Sequence, residues 1–260
     1  MACSRKTKRE LLLPHSKKEN TMKRALTSLV ILLTAVPPVW AANNIDQVNQ
    51  LIQSDFRKLS EDLGAALSYK GVTPAKPLGI TGFDVGIEAT VTKLQHRDAW
   101  DRASSGTTSD SVLIPKLHLH KGLPFGIDLG AFYTSVPDSN IKLWGAEMRY
   151  AILEGGVAEP ALGLRGTYSK LAGVSQLDFH TTGLELLISK GLAIFTPYAG
   201  VGRVWTTSEP VGVSNVKKEE FSQGKYFVGG NLNFGLANFA LEADRTGAAT
   251  SYSAKFGFRF

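Results

Sequence analysis

The last ten residues, SYSAKFGFRF (251–260), decide how the chain is read. Successive side chains of a β-strand point to opposite faces, so Tyr252, Ala254, Phe256, Phe258 and Phe260 share one face, while Ser251, Ser253, Lys255, Gly257 and Arg259 share the other. One face is apolar and the other polar and charged. A strand of this kind either closes a soluble sandwich with its apolar side inward or stands in a membrane with that side outward. The upstream segments discriminate between the two.

From about residue 80 onward the hydrophobic period is two. TGFDVGIEATVTKL (81–94) sets Phe83, Val85, Ile87, Ala89 and Val91 against Asp84, Gly86, Glu88, Thr90 and Thr92, and IKLWGAEMRYAI (141–152) alternates in the same way. Similar segments fall near 112–120, 125–135, 160–170, 178–189, 194–206, 224–235, 238–246 and 250–260, which predicts ten strands. The connections after odd strands include the longest and most polar ones, HRDAWDRASSGTTSD (96–110) and TSEPVGVSNVKKEE (207–220). Those after even strands, such as KGLP (121–124) and SKGL (189–192), are mostly tight and contain glycine.

The composition of the polar face chooses the solvent. It collects Asp84, Glu88, Lys116, Asp128, Glu147, Arg149, Arg165, Glu185, Asn231, Asn233, Glu242, Lys255 and Arg259, whereas the apolar face is nearly uncharged over all ten strands. Charges of both signs can pair inside a closed barrel, and a soluble protein rarely keeps charge off its entire exterior. The expectation is an all-β fold: an antiparallel transmembrane β-barrel of about ten strands whose inward charges form a network that narrows the lumen. In IFTPYAGVGRVW (194–205) the alternation blurs at Pro197, Gly200 and Gly202, which predicts a bulge and leaves the face of Arg203 open.

The N-terminal part is different. Residues 1–41 carry eight Lys or Arg against two Asp or Glu, and residues 42–260 carry 21 of each, so the net charge of +6 belongs to the leader and does not indicate a nucleic-acid partner. MKRALTSLVILLTAVPPVWA (22–41) has the basic, apolar and small-residue zones of a signal peptide with cleavage after Ala41. Residues 1–21 read as an extension ahead of the true start at Met22. The only cysteine is Cys3. Residues 44–67 carry one apolar stripe at helical spacing, through Val48, Leu51, Phe56, Leu59, Leu63 and Leu67, and SYKGVTPAKPLG (68–79) reads as a linker. A helix about 10–12 Å across would crowd a lumen already filled with charged side chains. Residues 42–79 are therefore expected in the periplasm or on the membrane surface, and residues 80–260 as the barrel.

The leader, the alternating strands and the terminal aromatic strand resemble the outer-membrane β-barrel proteins of Gram-negative bacteria, in the broad group of small OmpA-like barrels. The resemblance covers about residues 80–260 and is architectural. It implies export to the outer membrane, lipid as the surrounding partner, and a final strand with Phe256, Phe258 and Phe260 read as a signal by the barrel-assembly machinery. Its functional expectation is a structural or narrow-pore barrel, with a rim enzyme or a partner-binding barrel as alternatives. Catalytic candidates are limited to His96, Asp98, Asp101 and Asp110 in the first long connection, equally explained as solvated loop residues. His118 and His120 share a strand face about 6.5–7 Å apart without a third metal ligand at a telling spacing. No catalytic, cofactor or metal site is assigned.

Overall fold

The computed structural model describes residues 44–260 apart from 105, 107, 137 and 138, so the expected leader lies outside the described residues. Ten strands form the wall: β1 (Phe83–Lys93), β2 (Ser111–Gly122), β3 (Ile127–Ser135), β4 (Lys142–Glu154), β5 (Ala161–Ala172), β6 (Leu177–Ser189), β7 (Phe195–Pro210), β8 (Glu219–Phe234), β9 (Ala237–Thr246) and β10 (Ala249–Arg259). Each pairs antiparallel with its chain neighbours, and β1 pairs with β10 to close the barrel. Closure leaves no unpaired strand edge, which is what permits a sheet to cross a bilayer.

Which way the apolar face points follows from accessibility. Ile87, Leu117, Met148, Leu186, Val228, Leu241 and Phe256 are all exposed on the outside, whereas Glu88, Lys116, Arg149, Arg165, Glu185 and Lys255 are buried inside. Outward aromatics such as Trp144 and Tyr168 pack against each other with ring centroids 5.4 Å apart. An apolar exterior around a charged interior is the inverse of a soluble barrel, and the fold is a transmembrane one.

Both barrel termini and the connections 123–126, 155–160, 190–194 and 235–236 occupy one end, here the turn end; the loops 94–110, 136–141, 173–176, 211–218 and 247–248 occupy the other, the loop end. The first loop contains a short helix, α2 (Arg97–Ala103), named second because a longer helix, α1 (Gln53–Leu67), precedes it in the chain. Two local expectations change. The β7–β8 hairpin continues through Pro210 and from Glu219, beyond the strand ends read from sequence; EEFSQ carries a single apolar side chain, Phe221, and TSEP only a proline, so no repeated apolar contrast marks their period. Strand β7 also keeps one register with both neighbours through Pro197, Gly200 and Gly202, and Arg203 points outward. Glycine at 200 serves packing instead of a bulge, since a Cβ there would fall 2.2 Å from the Phe227 ring. The register shift among the described strands lies between Ala151 and Leu153 of β4, against β5.

The larger correction concerns α1. The helix lies inside the barrel, not beneath it: every residue from Asp62 to Ala75 is buried, and α1 packs against β5, β6, β7, β9 and β10. Depth explains the misplacement. The bulky charges counted for the lumen lie toward the turn end, while the inward residues at the level of the helix are mostly small or apolar: Thr90 and Thr92 on β1, Gly145 on β4, Gly183 on β6, Thr206 and Ser208 on β7, Ser251 and Ser253 on β10. That half of the lumen has room for a helix.

Candidate functional site: the plugged lumen

The N-terminal segment fills the lumen in two layers. At the loop end, Phe56, Leu59 and Leu63 of α1 and Trp100 of α2 join inward Val112, Ile114, Phe132, Leu143, Leu171 and Phe179 in one buried apolar cluster. Each fully buried Leu or Phe side chain contributes about 1.5–3 kcal/mol. The helix is amphipathic because one side meets this cluster, while Arg57 on the other side reaches Glu219 at 3.0 Å and lies over the Phe221 ring.

Asp62 clasps α1 to the first loop. Its carboxylate accepts from the backbone N–H of Gln95 (3.0 Å) and of His96 (2.9 Å) and from Trp100 Nε1 (3.2 Å), and its other oxygen lies 3.2 Å from His96 Nδ1.

Below the helix the chain descends as an extended thread through an ionic layer, and wall charges grip its backbone. Lys70 donates to Asp244 at 2.8 Å and to its own Ala65 carbonyl at 3.0 Å. Lys225 donates to the Tyr69 carbonyl and to Glu185, both at 2.7 Å. Arg149 binds the Thr73 hydroxyl at 2.7 Å and the Pro74 carbonyl at 2.8 Å, and pairs with Asp128. Ser189 Oγ and Asp128 accept from the amides of Ala75 and Leu78, at 3.1 Å each. Gly71 permits the closest approach: a Cβ there would fall 1.7 Å from an Arg165 guanidinium nitrogen.

The remaining inward charges from the sequence lie in the same layer. Glu88 holds Lys116 at 2.6 Å and His118 at 2.7 Å; Arg165 binds Glu185 and faces Glu147 at 3.7 Å; Asp84 meets Lys255 at 3.3 Å and the Arg259 Nε at 2.9 Å. Glu242 is buried inward, two positions from Asp244. Phe256, Phe258 and Phe260 are exposed on the outer surface.

His118 and His120 stack with ring centroids 5.6 Å apart, and His120 faces Glu147 at 3.4 Å. Among the described residues no group of three or more His, Cys, Asp or Glu side chains is placed to hold a metal. The first-loop candidates are engaged in local contacts: Asp101 accepts from the Thr108 amide and lies 3.9 Å from Arg97, which pairs with Asp110 at 2.7 Å, while His96 turns to Asp62 and lines a surface pocket with Asp98. Lys225 and Asp244 join the inward charges expected from sequence, and strand parity places both on the polar face, whereas the roles of Asp62 and Lys70 depend on the path of the plug.

No protein-family profile matches the chain, and no curated protein does. Solved structures similar in fold include the N-terminal β-barrel domain of OprF from Pseudomonas aeruginosa, at 12% identity and TM-score 0.36 over 68% of this chain and 97% of that one. OprG, an outer-membrane protein of the same organism, is 13% identical with TM-score 0.30, over 72% of this chain and 99% of its own. Neisserial surface protein A is 10% identical with TM-score 0.29, over 68% and 95%. At these values the fold rests on the strand order described above, and the function on the residues.

Proposed function

We propose that the chain is an outer-membrane barrel of structural or narrow-pore type whose lumen is closed in its resting state by its own N-terminal segment. The observation that carries this reading is the unbroken burial of residues 62–75 along the lumen. The wall charges do not line an open channel; most pair with one another or hold the backbone of the thread, while Glu242 is buried with no ion pair among the described residues. Export through the segment 22–41 with cleavage after Ala41, assembly through the strand ending in Phe256, Phe258 and Phe260, and an envelope of membrane lipid belong to the same reading. The inward ion pairs then serve closure and register, because an unpaired charge at that depth is costly.

Planar-bilayer conductance of the refolded full-length protein tests the proposal. The expected result is little or no steady conductance. In the variant carrying Leu59→Asp with Leu63→Asp, two carboxylates in the apolar layer expel the helix, and conductance rises by at least an order of magnitude. An unmodified chain that conducts like a wide general porin would overturn it, and so would a double variant that refolds and stays closed.

A further inference from the structure

The plug runs in a direction that places the start of the described chain at the far end of the barrel from the start of β1. Leaving β1 at the turn end and moving backward along the chain, Leu78 lies by Asp128, Ala75 by Ser189, Thr73 by Arg149 and Lys70 by Asp244. Asp62 reaches Gln95 and His96, just past the loop-end terminus of β1. The segment thus traverses the lumen once, and Asn44 stands among the loops.

That end is seated and not loose. The Ile45 amide donates to Asn140 Oδ1 and the Ile45 carbonyl accepts from Asn140 Nδ2, both at 3.1 Å. The amides of Asp46 and Gln47 donate to the Ala103 carbonyl, at 3.2 and 3.0 Å. The Val48 amide donates to Gln176 Oε1 at 2.9 Å, and Asn215 Nδ2 donates to the carbonyls of Asn49 (2.9 Å) and Leu51 (2.6 Å). Four of the five loops, those after β1, β3, β5 and β7, are therefore tied to one strap. Ile45, Val48 and Leu51 are buried beneath it, while Asn44, Asn49, Ile52 and Ser54 remain exposed. Hydrogen bonds to four separate loops define a single seat, which a segment resting at the turn end could not reach.

From this path we infer that the segment ahead of β1 crosses the barrel outward, so that Asn44 and the exposed residues through Ser54 belong to the cell's outer surface. This inference rests on the outer-membrane reading, in which the loop end faces the medium. Its functional content is display. The strap and four loops make one composite outer face, and the chain leaves that face on the medium side, so a peptide joined ahead of Asn44 would be presented outside the cell by a barrel that is also its anchor. The loops then act as a clamp for this terminus, beyond their role as strand connections.

Cysteine accessibility tests it, since Cys3 is the only native cysteine. Four single variants of the full chain, Asn44→Cys, Ser54→Cys, Ser214→Cys in the β7–β8 loop and Val157→Cys in the β4–β5 turn, are treated on intact cells with a membrane-impermeant maleimide. The expected result is strong labelling at 44, 54 and 214, with labelling at 157 only after the outer membrane is permeabilised, a contrast of tenfold or more. Labelling at 214 but not at 44 and 54 would overturn the outward crossing and leave the outer-membrane reading standing. Labelling at 157 and not at 214, or at none of the four in intact cells, would remove the outer-membrane orientation on which the inference depends.

Discussion

The two halves of the lumen are held by different physics. Toward the loop end the plug is packed like a soluble core: Phe56, Leu59 and Leu63 bury apolar surface against Ile114, Leu143, Leu171 and Phe179. Toward the turn end the same chain is gripped by Lys225 and Arg149 among buried carboxylates, with the Arg165 guanidinium lying close against Gly71. Hydrophobic burial adds stability in proportion to area, whereas a buried ion pair loses most of its Coulombic gain to desolvation and is costly chiefly when broken. The apolar layer therefore supplies the net stabilisation of the plug, and the ionic layer fixes its path.

Removing one partner of the ionic layer gives the largest expected effect. Arg165→Met leaves Glu185 and Glu147 facing each other's surroundings without that guanidinium and is expected to cost about 3–5 kcal/mol, read from urea unfolding of the barrel refolded in lipid vesicles. A loss below about 1 kcal/mol would mean that water or Lys225 already satisfies those carboxylates and that the contrast between the layers is overstated.

Leu59→Ala probes the apolar layer and is expected to cost on the order of 3 kcal/mol through lost burial and a residual cavity. It should also loosen the helix without opening the ionic thread. The check is hydrogen exchange, with protection falling across residues 53–67 and holding at 69–75. Equal loss of protection in both segments would show that the two layers act as one unit.

Asn140→Ala sharpens the seat of the strap and carries the smallest effect. It removes both hydrogen bonds to Ile45, for an expected loss of about 1 kcal/mol. Exchange at the amides of residues 45–48 should quicken several-fold while conductance stays unchanged. A rise in conductance would mean that the strap, and not the apolar layer, keeps the lumen shut.

Much of this arrangement was legible residue by residue. Parity alone puts Glu88, Arg149, Arg165, Glu185 and Lys255 inside and Ile87, Met148, Leu186 and Phe256 outside, because a strand's side chains alternate without exception unless a bulge intervenes. The helical stripe through Phe56, Leu59 and Leu63 was equally plain. A hint of the plug was present too: along β1 the inward residues pass from Asp84 and Glu88 to Thr90 and Thr92, along β6 from Glu185 back to Thr181 and Phe179, and along β4 from Arg149 and Glu147 back to Gly145 and Leu143. Counting these charges without sorting them by depth concealed the space they leave.

By itself the sequence determined the ten strands, their order around the wall, the face each side chain takes and the existence of an amphipathic helix, since all of these follow from local periodicity and short connections. Only the tertiary structure decided where that helix goes. Its apolar stripe would suit a membrane surface, a barrel mouth or a lumen equally well. The choice depends on the cross-section left between residues far apart in the chain, such as Gly145, Thr206 and Ser251, and on loops that meet only after the barrel closes. Closure is a property of all ten strands at once, so no local pattern contains it.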